Sequence, residues 1–206
     1  MNPARKVLAI AFLFLASSGV AVLSYVALHI NRSQPEYATV LPAPIALPEF
    51  SLLDHTGQIF DRGSLRGNWN VVFFGFTHCP DICPATLQQL ALARKRVAED
   101  GKEFPRILFI SVDPERDTPE AMASYIANFG PGIAGISGSL HELTKLTKAT
   151  GIYFAKSGDL DAAYSVDHSA VVLVINPNAE WQALFSAPHN IDEFVNDIPI
   201  ITGRDI

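Results

Sequence analysis

The chain has 206 residues, 49% of them hydrophobic, and a formal net charge of −6 at pH 7. Residues 1–36 hold three of the 15 Lys/Arg and one of the 21 Asp/Glu, which leaves 12 basic and 20 acidic side chains, a formal −8, in residues 37–206. That balance argues against nucleic-acid or anionic-lipid binding, which need basic patches, while the remaining length suits one domain with a full core.

From Val7 to Ile30 the only residue that titrates near neutral pH is His29, and such a run can span a hydrocarbon core of roughly 30 Å. Arg5 and Lys6 precede it, while Arg32 and Glu36 nearly cancel after it. The positive-inside bias therefore predicts residues 1–6 in the cytoplasm and the rest of the chain across the membrane. A cleaved signal peptide shares this polarity. The run exceeds the ~7–15 residues of a signal h-region, and no good A-x-A site follows, so residues 7–30 are read as an uncleaved transmembrane anchor. No cysteine lies in or just after the run for a lipoprotein anchor, and no long Arg- and Ser-rich transit peptide is present. The expectation is a bacterial inner-membrane protein whose domain faces the periplasm. Residues 31–48, with Pro35, Pro42 and Pro44 among small polar residues, read as an extended linker. Residues 49–206 read as the domain.

Within the domain, Phe50–Asp54 and Gln58–Phe60 flank the turn His55-Thr56-Gly57 and predict a hairpin. Val71–Phe76 is nearly all apolar, as in a strand buried on both faces. Leu87, Leu90, Ala91, Ala93, Val97 and Ala98 recur at helical spacing between Ala85 and Asp100, and Gly101 is a stop signal. Arg106–Val112 predicts a second buried strand. Thr118-Pro119 opens a helix with Thr as N-cap and Pro at its first position. A short strand near Ile133–Ile136, a helix over Leu140–Thr150 stopped by Gly151, a hairpin of Val171–Ile175 with Trp181–Phe185, and a last helix over Ile191–Ile198 complete the order. This β-α-β-α-β-α-β-β-α succession predicts an α/β domain with the thioredoxin-like arrangement, a mixed sheet flanked by helices.

The two cysteines stand in Phe76-Thr77-His78-Cys79-Pro80-Asp81-Ile82-Cys83-Pro84, where a strand gives way to a helix. Unpaired N–H groups and the dipole at a helix N-terminus stabilise a thiolate. Three uses are open. A structural disulfide is permitted outside the cytoplasm, but closing so short a loop stabilises by only about 2 kcal/mol against nearly 5 for a long crosslink. Thiol–disulfide exchange fits the setting, although redox thioredoxins use C-x-x-C and this chain has C-x-x-x-C. Metal chelation fits the i, i+4 placement on one helical face but needs a further ligand. His29 belongs to the anchor and His55 to a hairpin turn. His141 and His189 sit at helix starts and are expected at the surface, and His78 is adjacent to Cys79, where side chains diverge. His168, in Tyr164-Ser165-Val166-Asp167-His168-Ser169-Ala170 before a buried strand, lies in a loop able to reach the cysteine turn.

These residues carry a resemblance. Phe76–Pro84, Asp113-Pro114-Glu115-Arg116-Asp117-Thr118-Pro119 and Val166-Asp167-His168-Ser169-Ala170 resemble three separated motifs, in order, of the Sco (SenC/PrrC) family of membrane-anchored copper proteins that assist cytochrome c oxidase assembly. The resemblance runs from about Leu47 to the C-terminal helix. It implies that Cys79, Cys83 and His168 are copper ligands and that the partner is cytochrome c oxidase subunit II, with other periplasmic copper carriers or thiol reductants as further contacts. Two soft thiolates and an imidazole agree with Cu(I), and Cu(II) can take a further weak ligand; a structural zinc site usually closes with four protein ligands. The expected function is a metallochaperone for the binuclear copper centre. The alternative is a thiol–disulfide oxidoreductase using the redox pair Cys79 and Cys83 on periplasmic cysteine pairs. Asp81 and Asp167 either tune the metal from behind its ligands or cap turns, two readings left open. Asp113–Pro119 is read mainly as a turn and helix start near the site.

Overall fold

The computed structural model describes residues 34–158 and 164–203. The expected cytoplasmic segment 1–6, the anchor 7–30 and the first part of the linker lie outside the described residues, and among those described no helix is long and apolar enough to cross a membrane.

The strands are β1 (Thr39–Ala46), β2 (Ser51–Asp54), β3 (Ile59–Asp61), β4 (Asn70–Gly75), β5 (Arg106–Ser111), β6 (Ile133–Ser137), β7 (Phe154–Ser157), β8 (Ser165–His168), β9 (Val172–Ile175) and β10 (Glu180–Phe185). The helices are the single turn α1 (Arg62–Leu65), then α2 (Ile82–Glu99), α3 (Pro119–Ile126), α4 (Leu140–Thr150) and α5 (Ile191–Ile201). Eight strands form one sheet in the order β1-β10-β9-β4-β5-β6-β2-β3. β4, β5 and β6 run parallel, while β9 lies antiparallel against β4. β7 and β8 pair only with each other.

The apolar runs form the centre of the sheet because each central strand is covered on both faces. All six residues of β4 are buried, as are all four of β9. Val72, Phe74, Ile110 and Leu173 face Leu146 and Thr150 of α4. On the opposite face Phe73 stacks on Phe109 at 6.2 Å, and Phe109 meets Tyr125 of α3 at 5.4 Å. Helix starts follow the capping signals. The Thr118 hydroxyl accepts from the Ala121 N–H, with Pro119 in the first turn, and α4 ends on Gly151 at φ 68°, a left-handed conformation that suits glycine.

Three features depart from the sequence reading. Residues 39–46 form β1 at the sheet edge, paired antiparallel with β10, rather than an extended linker. Proline cannot donate to a ladder and is confined to edges and bulges; here the register shifts between Val40 and Ile45, across Pro42 and Pro44. Upstream, the backbone N–H groups of Glu36, Tyr37 and Ala38 all donate to the buried carboxylate of Asp197. Second, β7 and β8 form a hairpin where an unstructured approach to His168 was expected. Third, His189 is buried, not exposed as expected: its Nδ1 lies 2.8 Å from Glu193 Oε1 and its Nε2 donates to Ala170 O at 2.9 Å. The carboxylate one turn into α5 and the carbonyl beside β9 satisfy both ring nitrogens, which makes the burial tolerable. His141 is exposed, as expected.

Candidate metal centre

β4 ends at Gly75, and the chain turns through Thr77–Asp81 into α2. α2 starts at Ile82, so Cys83 stands in its first turn and is fully buried, while Cys79, in the turn, is half-buried. Both are free thiols. The Cys83 N–H points at Cys79 Sγ, 3.5 Å away. This is the first-turn donor that the sequence predicted would favour a thiolate.

His168, the last residue of β8, enters from the side. Its ring packs edge-on against Phe73 and Phe76, each at 5.9 Å. Nδ1 lies 3.1 Å from Ser169 O, and a carbonyl only accepts, so Nδ1 carries the proton in the neutral ring. Nε2 is thereby left with its lone pair directed at Cys83 Sγ, 3.3 Å away. Fixing the tautomer through the remote nitrogen is how proteins orient a metal-binding imidazole. The two Sγ atoms and the imidazole donor all lie within 4.8 Å of one another. A trigonal site with metal–sulfur bonds of about 2.3 Å has edges of about 4 Å, so the three donors fit one soft metal ion with little movement.

The thiols do not share one proton affinity. Hydrogen bonding with Cys83, opposed by burial, pulls the Cys79 thiol down to about 4, and the backbone N–H groups of Asp81 and Cys83 act in the same direction. The interaction with Cys79 and its own burial push the Cys83 thiol well up. Cys79 is thus the thiolate and Cys83 the proton donor of the metal-free pair.

Gly75 is required by the site. A Cβ at this position would stand 2.6 Å from Cys83 Sγ and 2.8 Å from Phe109 Cε2, and glycine in a strand marks such a close approach. Gly75→Ala is expected to displace Cys83 and to cost roughly 1–3 kcal/mol of overpacking, read from the urea unfolding midpoint. An unchanged midpoint would show that the strand and helix yield freely there.

Asp81 and Asp167 are both exposed, and Asp81 makes no side-chain capping bond at the start of α2. The carboxylate that holds the cysteine turn is instead Asp117, which sequence reasoning left inside a helix-start motif. Fully buried, it accepts from the Thr77 N–H at 3.0 Å, the Thr77 hydroxyl at 2.6 Å and the Ser111 hydroxyl at 2.5 Å.

A thioredoxin-like sheet with a Cys-x-x-x-Cys turn at its first long strand and an imidazole brought over it by a separate hairpin defines a thiol–imidazole protein able to hold a soft metal. The sequence model described as SCO1/SenC matches residues 40–202, and the chain belongs to that family. It is 36% identical over 170 residues to the mitochondrial SCO2 homolog of Bos taurus, covering 82% of this chain and 64% of that protein. The chain therefore spans just under two thirds of that relative's length. Among solved structures it resembles Arabidopsis thaliana ScoI with copper bound, with TM-score 0.71 and 33% identity over 77% of this chain and 98% of that one. Bradyrhizobium japonicum ScoI with copper bound gives 0.64 and 32%, over 74% and 97%.

Proposed function

We propose that the protein is a membrane-anchored copper carrier of the periplasmic side of the bacterial inner membrane, with Cys79, Cys83 and His168 as ligands and copper as cargo. Its service is to assembly of the binuclear copper centre in cytochrome c oxidase subunit II. The observation that carries this reading is the convergence of two sulfurs and one imidazole lone pair within 4.8 Å. That donor set is soft, and three ligands suit Cu(I), with Cu(II) taking a further weak one. The copper-bound structures of similar proteins support the choice of metal. Release follows from thiol chemistry. When the two copper-bound thiolates reduce a disulfide of the partner, two electrons pass to it, its S–S bond breaks into two thiolates as the Cys79–Cys83 bond forms, and both sulfurs are lost as ligands.

The half-exposed Cys79 thiolate favours a second reading, thiol–disulfide reduction, in which Cys79 attacks a partner disulfide and Cys83 resolves the mixed disulfide. Tethering separates the two. A protein confined beside one membrane enzyme gains effective concentration. Exporting the domain without residues 1–36 is expected to leave copper binding intact but to make oxidase assembly inefficient at limiting copper, with added copper partly restoring it. Restoration by a thiol reductant but never by copper would replace the first reading with the second. Equal assembly by the soluble form would remove the role of the tether.

A further inference from the structure

Cys79 and Cys83 are local in sequence, but His168 arrives 85 positions after Cys83 on a hairpin outside the main sheet. A lone two-stranded hairpin is marginal in water, so the reach of His168 depends on what fixes the hairpin. The entry to β8 is fixed through Tyr164 by the loop that follows β5. Arg116 Nη1 donates to Tyr164 O at 3.0 Å, and the guanidinium lies over the Tyr164 ring with Cζ 3.8 Å from its centroid. Arg116 Nε donates to Asp113 Oδ2. The Tyr164 hydroxyl closes the ring of contacts by donating to Asp113 Oδ1 at 2.8 Å. Asp113 is fully buried. Arg116 Cζ also lies 5.8 Å from the centroid of Phe76, the ring that packs edge-on against His168. Four residues along the same loop from Asp113, Asp117 holds Thr77, two residues before Cys79.

We infer that the Asp113–Asp117 loop registers the two halves of the site, with Arg116 as the positioning residue that sets how closely His168 approaches the cysteines. The inference rests on the copper reading above for its consequence, not for its geometry. Arginine is suited to this position because its planar fork donates in two directions while its face stacks on an aromatic ring. Lysine preserves the charge and the attraction to Asp113 but not the simultaneous bond to Tyr164 O. Loss of the fork loosens the imidazole and leaves both sulfurs in place, so the effect falls on the copper state that needs the imidazole.

The test uses the full chain in detergent micelles. For metal-free Arg116→Ala, hydrogen exchange of the β7–β8 ladder amides is expected to rise about tenfold or more, the size of losing one charged hydrogen bond, while β4 and β5 amides stay protected. Cu(II) affinity should fall by a similar factor with an altered electron paramagnetic resonance spectrum, and Cu(I) affinity should change less than about threefold. Arg116→Lys should recover part of each effect and covers the case in which the alanine variant does not fold. Unchanged exchange in the hairpin, or a parallel loss of both copper states with loss of protection throughout the sheet, overturns the inference. If the unaltered protein takes up no copper, the copper reading fails, while the exchange measurement still decides the role of Arg116.

Discussion

Cys79→Ala or Cys83→Ala is expected to weaken Cu(I) binding by about a hundredfold or more, whereas His168→Ala should preserve much of it and lose Cu(II). The estimate follows from ligand count. Structural sites of four protein ligands bind their metal with about 10–16 kcal/mol, so one strong ligand contributes on the order of 3 kcal/mol, about two powers of ten in Kd. Removing either sulfur leaves one thiolate and one imidazole, too few for a trigonal site. Removing the imidazole leaves the thiolate pair. The two cysteine variants should differ in stability, since Cys83 is fully buried with its Sγ close to Gly75 and Cys79 is half-buried. Loss of Cu(I) binding in Cys79→Ala with an unchanged unfolding midpoint would isolate ligand loss from misfolding. Full retention of both copper states in His168→Ala would remove it from the site.

The elements legible in the sequence were those whose reason is local. β4, β5 and β9 announce themselves as apolar runs because both of their faces are covered, and α3 and α4 carry their caps in Thr118-Pro119 and at Gly151. The helical pattern is legible only from Ala85, three residues after α2 begins at Ile82, because Cys83-Pro84 hides it in the first turn. β1 escaped because two prolines in eight residues look like tether, and only the partner strand β10 shows that they fall in an irregular edge. The cysteine pair was legible from its spacing. Spacing alone leaves His168 as the candidate third ligand but does not show that it arrives, since its approach depends on the β7–β8 hairpin and on the earlier loop that holds Tyr164. Asp113, Arg116 and Asp117 stand in a motif visible in the sequence, yet their bonds to Tyr164 and Thr77 are tertiary and leave no periodic trace. His189 was misplaced for the same reason: its partners Glu193 and Ala170 make a buried imidazole stable, and only one of them is near in sequence.

Asp197→Ala is expected to cost about 2–4 kcal/mol and to lower Tm by roughly 5–12 °C, because hydrogen bonds to a charged group are each worth about 1.5–3 kcal/mol and water recovers part of the loss. The carboxylate, fully buried on α5, accepts from Glu36, Tyr37 and Ala38 at 3.0, 2.6 and 2.7 Å. Asp197→Asn retains one acceptor oxygen and turns an NH2 toward N–H donors, so it should lie between alanine and the original residue. The same three bonds tie down the chain just before β1, so their loss frees the backbone around Tyr37. Chymotrypsin should then cleave after Tyr37 much faster in Asp197→Ala, and urea should unfold the variant at a lower midpoint. If both the cleavage rate and the midpoint stay unchanged, the segment before β1 is held by contacts other than this carboxylate.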